Sequence, residues 1–122
     1  MVTAITLQKR PTTFGESLGI GHIDHSFFIL NENVIIGHVH VNMMIDGNPF
    51  IEWVELYPDF QDNHLFRPIL TALFNHYIGA TRLCFDAIEK NWPMYDHLGA
   101  VRIEYDEIRE VMSYELPRAA LC

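Results

Sequence analysis

Through the first half of the chain apolar and polar residues mostly alternate with a period of two, and near residue 65 the pattern changes to a helical period. Ala4 to Gln8 predicts a short strand, stopped by Lys9-Arg10-Pro11 and a Thr/Gly-rich stretch through Gly21 that carries no helical period. Ser26 to Leu30 and Val34 to Met44 predict a hairpin that turns at Asn31-Glu32-Asn33. Asp46-Gly47-Asn48-Pro49 is a second turn signal, after which Phe50 to Tyr57 is extended until Pro58 stops it.

Apolar residues then fall at Leu65, Phe66, Ile69, Leu70, Leu73, Phe74, Tyr77 and Ile78, one face of a helix closed by Gly79. Pro68 is tolerated only in the first turn, where N–H groups have no intrahelical partner, so the N-cap lies no earlier than His64. Arg82 to Ile88 predicts an apolar strand, and Asn91-Trp92-Pro93 opens a short helix that ends at Gly99. Val101 to Tyr105 and Val111 to Leu116 predict a last hairpin around Asp106 to Arg109. The order β, β, β, β, α, β, α, β, β is an α+β arrangement. Its 122 residues support a single domain and one core.

Composition narrows the function classes. Hydrophobic residues at 49% and charged residues at 20% exclude the disordered and coiled-coil extremes. No apolar run approaches the ~18 residues of a membrane span, and the first ten residues lack the basic-then-apolar order of a secretion signal. A cytoplasmic protein with no membrane partner is expected. Cys84 and Cys122 are too few for a disulfide framework and fit a reducing compartment. Sixteen acidic against eight basic residues leave a formal charge of −8 with no basic cluster. Direct nucleic-acid binding is therefore not expected, because it needs cations that displace phosphate counterions. The acidity suits a basic partner or acceptor amine, and serves solubility equally well.

The segment Glu55-Leu56-Tyr57-Pro58-Asp59-Phe60-Gln61-Asp62-Asn63-His64-Leu65-Phe66 resembles a frame of the GNAT N-acetyltransferase superfamily. There a strand ends in Val-x-Pro-x-Tyr and Arg/Gln-x-x-Gly-x-Gly/Ala opens a helix. Pro58, Phe60 and Gln61 match, whereas His64 and Phe66 stand where the family keeps small residues. Asn91 followed by Tyr95-Asp96-His97-Leu98-Gly99-Ala100 is similar to the family's later Asn and its Tyr-x-x-x-Gly-Phe helix, at a shorter Asn-to-Tyr spacing. With the element order, the likeness runs from Phe27 to Leu116.

This resemblance implies a GNAT-like, mostly antiparallel mixed sheet of about six to seven strands with two main helices. The first two family helices are missing, since Lys9 to Asp24 leave no room for both. The acceptor side is then open and suits a macromolecular acceptor such as a protein, or is completed by a partner protein or a second copy in a homo-oligomer. The strand Phe50–Tyr57 would splay from Arg82–Ile88 and leave backbone groups for the pantetheine arm of acetyl-CoA. The helix N-terminus would meet the pyrophosphate. Leu56, Gln61, Asp62, Asn63, His64, Leu65, Phe66 and Asn91 fall on this cofactor side.

The implied chemistry is direct attack of an amine on the thioester, with a base that takes a proton and an acid that protonates the leaving thiolate. Tyr95 stands at the acid's position, and Glu52 or Glu55 at the base's. On regular strand geometry these two glutamates, three positions apart, face opposite sides, so one of them lines the cleft. Each also reads as a surface strand residue, Tyr95 as a packing tyrosine, and Asn91 as the N-cap of the Pro93 helix. Without glycines, the ring of Phe66 either blocks the pyrophosphate site or turns into the core.

His38 and His40 alternate onto one strand face with His22 and His25 upstream, but no acidic or cysteine partner stands at a diagnostic spacing. They read as polar residues on the wet face opposite Val39 and Val41, and no metal is expected. Trp53, Phe27, Phe28 and Phe85 read as core. The rival to the enzyme is a catalytically silent GNAT-fold binding or structural protein, such as a phage virion or head-assembly protein, located in the virion.

Overall fold

Asn31-Glu32-Asn33 reverses the chain with positive φ at both Glu32 (51°) and Asn33 (70°), the two-residue turn whose twist matches that of the flanking strands. In the computed structural model, which describes residues 4–10, 24–61 and 65–121, this turn joins β2 (Asp24–Asn31) to β3 (Val34–Met43). β1 is Ile5–Lys9 and β4 is Pro49–Leu56. Helix α1 (Phe66–His76) then leads to β5 (Arg82–Ala87), and α2 (Trp92–Leu98) to the hairpin β6 (Val101–Asp106) and β7 (Val111–Pro117). The expected element order holds throughout. The Thr/Gly-rich stretch, His22, Cys122, and the loop positions Asp62, Asn63 and His64 lie outside the described residues.

The seven strands form one mixed sheet in the order β1-β2-β3-β4-β5-β7-β6. All neighbours are antiparallel except β4 and β5, which are parallel and joined through α1, the crossover that a parallel pair needs. β4 and β5 pair only at Phe50 with Cys84 and Ile51 with Phe85. Beyond Ile51 they diverge, as the resemblance implied.

Phe27, Val39, Val41, Ile51, Leu56, Leu83 and Leu116 point to one face of the sheet, and Ile69, Leu70, Leu73, Phe74 and Tyr95 of the two helices complete the same core. Burial of this apolar surface is the main stabilising contribution, at roughly 25 cal/mol per Å². Ile78 is exposed rather than part of the helical face, because α1 ends at His76. Its C-terminal carbonyls are covered from β7's end. The Arg118 guanidinium donates to the carbonyl oxygens of Phe74, Tyr77, Ile78 and Ala80 at 2.9–3.2 Å. At the other end Leu65 is the N-cap and makes no side-chain capping bond. Pro68 sits in the first turn as the sequence requires.

Three register shifts break the alternation, one of them in the terminal β6–β7 hairpin between Arg102 and Glu104. The β2–β3 register shifts between Ile29 and Leu30, and the β3–β4 register shifts between His40 and Val41. At the β3–β4 shift, His40 faces Trp53 and Val41 faces Ile51, so Glu52 is the extra residue of a β-bulge. Trp53, expected in the core, is consequently turned out and 49% exposed. Phe27 and Phe85 are buried as expected, while Phe28 is half-buried on the opposite face under the Arg10 guanidinium. Gly37 of β3 is in close contact with β4. A Cβ there would meet the Glu55 carbonyl oxygen and lie 2.9 Å from Leu56 Cα.

Candidate functional site

The divergence of β4 and β5 opens a cleft of about 300 Å³ between them. Ile51 to Val54 of β4 form one wall, and Phe85 and Asp86 of β5 the other. Phe66 and Leu70 of α1 floor it, with Asn91 and Tyr95 at the start of α2. The sequence thus brings Glu52, Tyr95, Asn91 and Phe66 to one place. Glu55, Leu56, Gln61 and Leu65 do not line the cleft.

The bulge changes which side the carboxylates face. Regular alternation predicts Glu52 and Glu55 on opposite sides, and that expectation fails. Inserting Glu52 as an extra residue advances the phase by one, and both carboxylates reach the face carrying His38 and His40. Glu55 Oε2 lies 3.3 Å from His38 Nε2, in an orientation that does not form a hydrogen bond. Glu52 Oε2 lies 3.6 Å from His40 Nε2, and its Oε1 accepts a hydrogen bond from Asn42 Nδ2. Only Glu52 combines this support with a place on the cleft wall. The two histidines are partly buried polar residues opposite Val39 and Val41, and among the described residues no three His, Cys, Asp or Glu side chains form a metal-binding group.

Across the cleft, Tyr95 is 8% exposed and packs among Phe66, Phe85 and Tyr114, with centroids 4.5–5.7 Å away. Burial, followed by the neighbouring Tyr114, pushes its phenol up to about 12, so it holds its proton at neutral pH. Among the described residues its hydroxyl has no hydrogen-bond partner. Tyr114 is different: its hydroxyl donates to Asp96 Oδ1 at 2.9 Å. The bidentate Arg102 guanidinium holds the Asp96 carboxyl below the usual carboxylate range.

Asn91 stands at the N-cap position of α2 yet makes no side-chain capping bond. The cap alone therefore does not account for it. Gln61 folds back instead, its Nε2 donating to the Leu56 carbonyl at 3.0 Å, which braces the strand end. Leu65 is buried in the core and Leu56 nearly so. Phe66 packs against the core and lines the cleft at the same time. Its ring lies half-buried on the cleft floor, edge-on to Tyr95.

Sequence reasoning missed Trp53 and Asp86 as cleft residues. Asp86 is occupied, accepting from Arg109 Nη2 at 2.9 Å and from Ser113 Oγ at 3.0 Å. Trp53 had a legible signal: the aliphatic β4 residues Ile51, Val54 and Leu56, which are buried or partly buried, are spaced three and then two, the signature of one extra residue.

The fold is that of the GNAT acetyltransferases. An acetyltransferase from Thermus thermophilus matches with a TM-score of 0.67 and 15% identity, over 84% of this chain and 69% of that one. A mutant form of the spermidine/spermine N-acetyltransferase SpeG from Vibrio cholerae matches with a TM-score of 0.73 and 10% identity, over 96% and 95% of the two chains. Spermidine N-acetyltransferase from Vibrio cholerae in complex with CoA and spermine matches at 0.65 and 11%, over 80% and 68%. No family model and no curated protein matches the sequence.

Proposed function

We propose that the protein transfers an acetyl or acyl group from CoA to an amine. The observation that carries this reading is the parallel pair β4–β5, which parts after two paired positions and sets Glu52 and Tyr95 on one cleft. The parted edge of β4 at Trp53 and Val54 offers unpaired backbone groups to a pantetheine amide. The uncapped start of α1 offers its amides and positive dipole end to phosphate, less the donor that Pro68 lacks. Asn91 has a free side chain toward the same space. These features fit acetyl-CoA, which when bound supplies the thioester carbonyl.

The residues then have simple tasks. Glu52, steadied by Asn42 and His40, accepts the proton that the acceptor nitrogen loses as its C–N bond forms. Tyr95, protonated and unbonded, donates its proton to the departing sulfur as the C–S bond breaks, and regains one from water. The products are the N-acyl amine and free thiol. Holding both reactants in the cleft supplies the rest of the rate. Glu55 lies beside His38 on the same face, outside the cleft.

Phe66 favours the second reading, a GNAT-fold binding protein without acyl transfer, because its ring occupies cleft space that small residues would leave open. Thiol release from acetyl-CoA in the presence of a primary amine separates the two. Turnover that Glu52→Gln and Tyr95→Phe reduce supports transfer. Acetyl-CoA binding without turnover across varied amines would leave only the second reading, and no binding would remove the first.

A further inference from the structure

The two tryptophans have opposite fates. Trp92 is fully employed within the chain: its Nε1 donates to the Ala87 carbonyl at 2.9 Å, and the Arg102 guanidinium stacks over its ring at 4.8 Å. Trp53 has neither. It is half exposed at the cleft wall, its N–H makes no hydrogen bond among the described residues, and none of their cations lies over its ring. Its ring contact is edge-on with His38, centroids 4.6 Å apart at 80°. The Glu55 carboxylate lies 3.3 Å from that imidazole. Glu52 and Glu55 flank it in sequence, and the bulge brings both carboxylates to its face of the strand.

An exposed, unpartnered indole beside a carboxylate is the chemistry that recognises an alkylammonium: the ring face attracts the cation and Glu55 neutralises it, leaving Glu52 to the reacting nitrogen. The nitrogen that attacks a thioester must be uncharged, so a cation resting on Trp53 is not the reacting group. We propose that Trp53 is the specificity-determining residue on the acceptor side, seating a second, non-reacting ammonium, and that the acceptor class is diamines. This rests on the N-acyltransferase reading for the identity of the cleft, but concerns acceptor binding alone.

The test is calorimetric titration of the protein, without donor, with 1,4-diaminobutane and with n-butylamine. Variants are Trp53→Phe, which keeps a ring face, and Trp53→Leu, which keeps an apolar group; an exposed site tolerates both. A cation–π contact of about 1–2 kcal/mol corresponds to about 5–30-fold in affinity. The wild type is expected to prefer the diamine by that factor, Trp53→Phe to retain most of the preference, and Trp53→Leu to abolish it. Equal binding of the two amines by the wild type, or a diamine preference unchanged in Trp53→Leu, overturns the proposal. Acetyl-CoA binding alongside either of those results leaves the transfer reading standing. Diamine selectivity lost in Trp53→Leu without any acetyl-CoA binding sinks that reading and leaves the role of Trp53 in place.

Discussion

The ring of Phe66 meets that of Tyr95 edge-on, with centroids 5.7 Å apart and planes at 75°. One residue opens α1 where the family's loop would hold glycine or alanine, and the other is the candidate acid. On the proposed reading, the same ring would narrow the donor's entry and pack the acid into place. Phe66→Ala should relieve the first effect and weaken the second. Acetyl-CoA affinity is expected to rise several-fold, while the half-buried ring's loss destabilises the fold by about 1–3 kcal/mol, below the cost of a fully buried Phe. Calorimetry and thermal unfolding check the two halves independently.

Tyr95→Phe should lower kcat by about 10²-fold or more with little change in KM or in melting temperature. The stability expectation follows from the hydroxyl having no hydrogen-bond partner among the described residues. A large loss of stability with unchanged kcat would return Tyr95 to a packing role.

Burial raises the Tyr95 phenol to about 12 from its model-compound value of 10.0. The neutral form is therefore favoured in the folded state. The stabilising contribution is fully present below pH ~10 and is lost as pH rises through ~12. Between pH 7 and 10 the rate should show no alkaline limb from this residue. A Tyr95-dependent fall in kcat within that range, absent in Tyr95→Phe, would contradict the assignment.

The bulge separates the two glutamates by role. Glu52→Gln removes the carboxylate on the cleft wall and should cost about 10²-fold in kcat, whereas Glu55→Gln, outside the cleft, should cost less than about tenfold. The reverse order would assign the base to Glu55.

Gly37→Ala tests the close β3–β4 contact. Its Cβ would collide with the backbone of Glu55 and Leu56, which cannot move as a side-chain tip can. A loss of more than about 2 kcal/mol is expected, measured by denaturant unfolding.

The element order was legible because turn residues and apolar periods agree along the chain: Asn31-Glu32-Asn33 and Asp46-Gly47-Asn48-Pro49 mark real turns, and Leu65 to Phe74 a real helix face. The site was less so. A strict period of two puts Trp53 with Ile51 and separates Glu52 from Glu55, and the bulge reverses both assignments without altering composition. Phe66 was ambiguous because a ring at the first position of a helix can face core or cleft, and here it packs against core residues that also line the cleft, among them Tyr95, far along the chain. The occupied state of Asp86 depends on Arg109 and Ser113, which pairing of β5 with β7 brings near and no local pattern announces.

The central claim is that the gap between β4 and β5 is a donor site, and calorimetric titration with acetyl-CoA tests it most directly. The account predicts saturable one-to-one binding with Kd below about 1 mM, the upper end of ordinary KM values, and a rise in melting temperature with ligand concentration. No binding heat and an unmoved melting temperature at millimolar acetyl-CoA would contradict it.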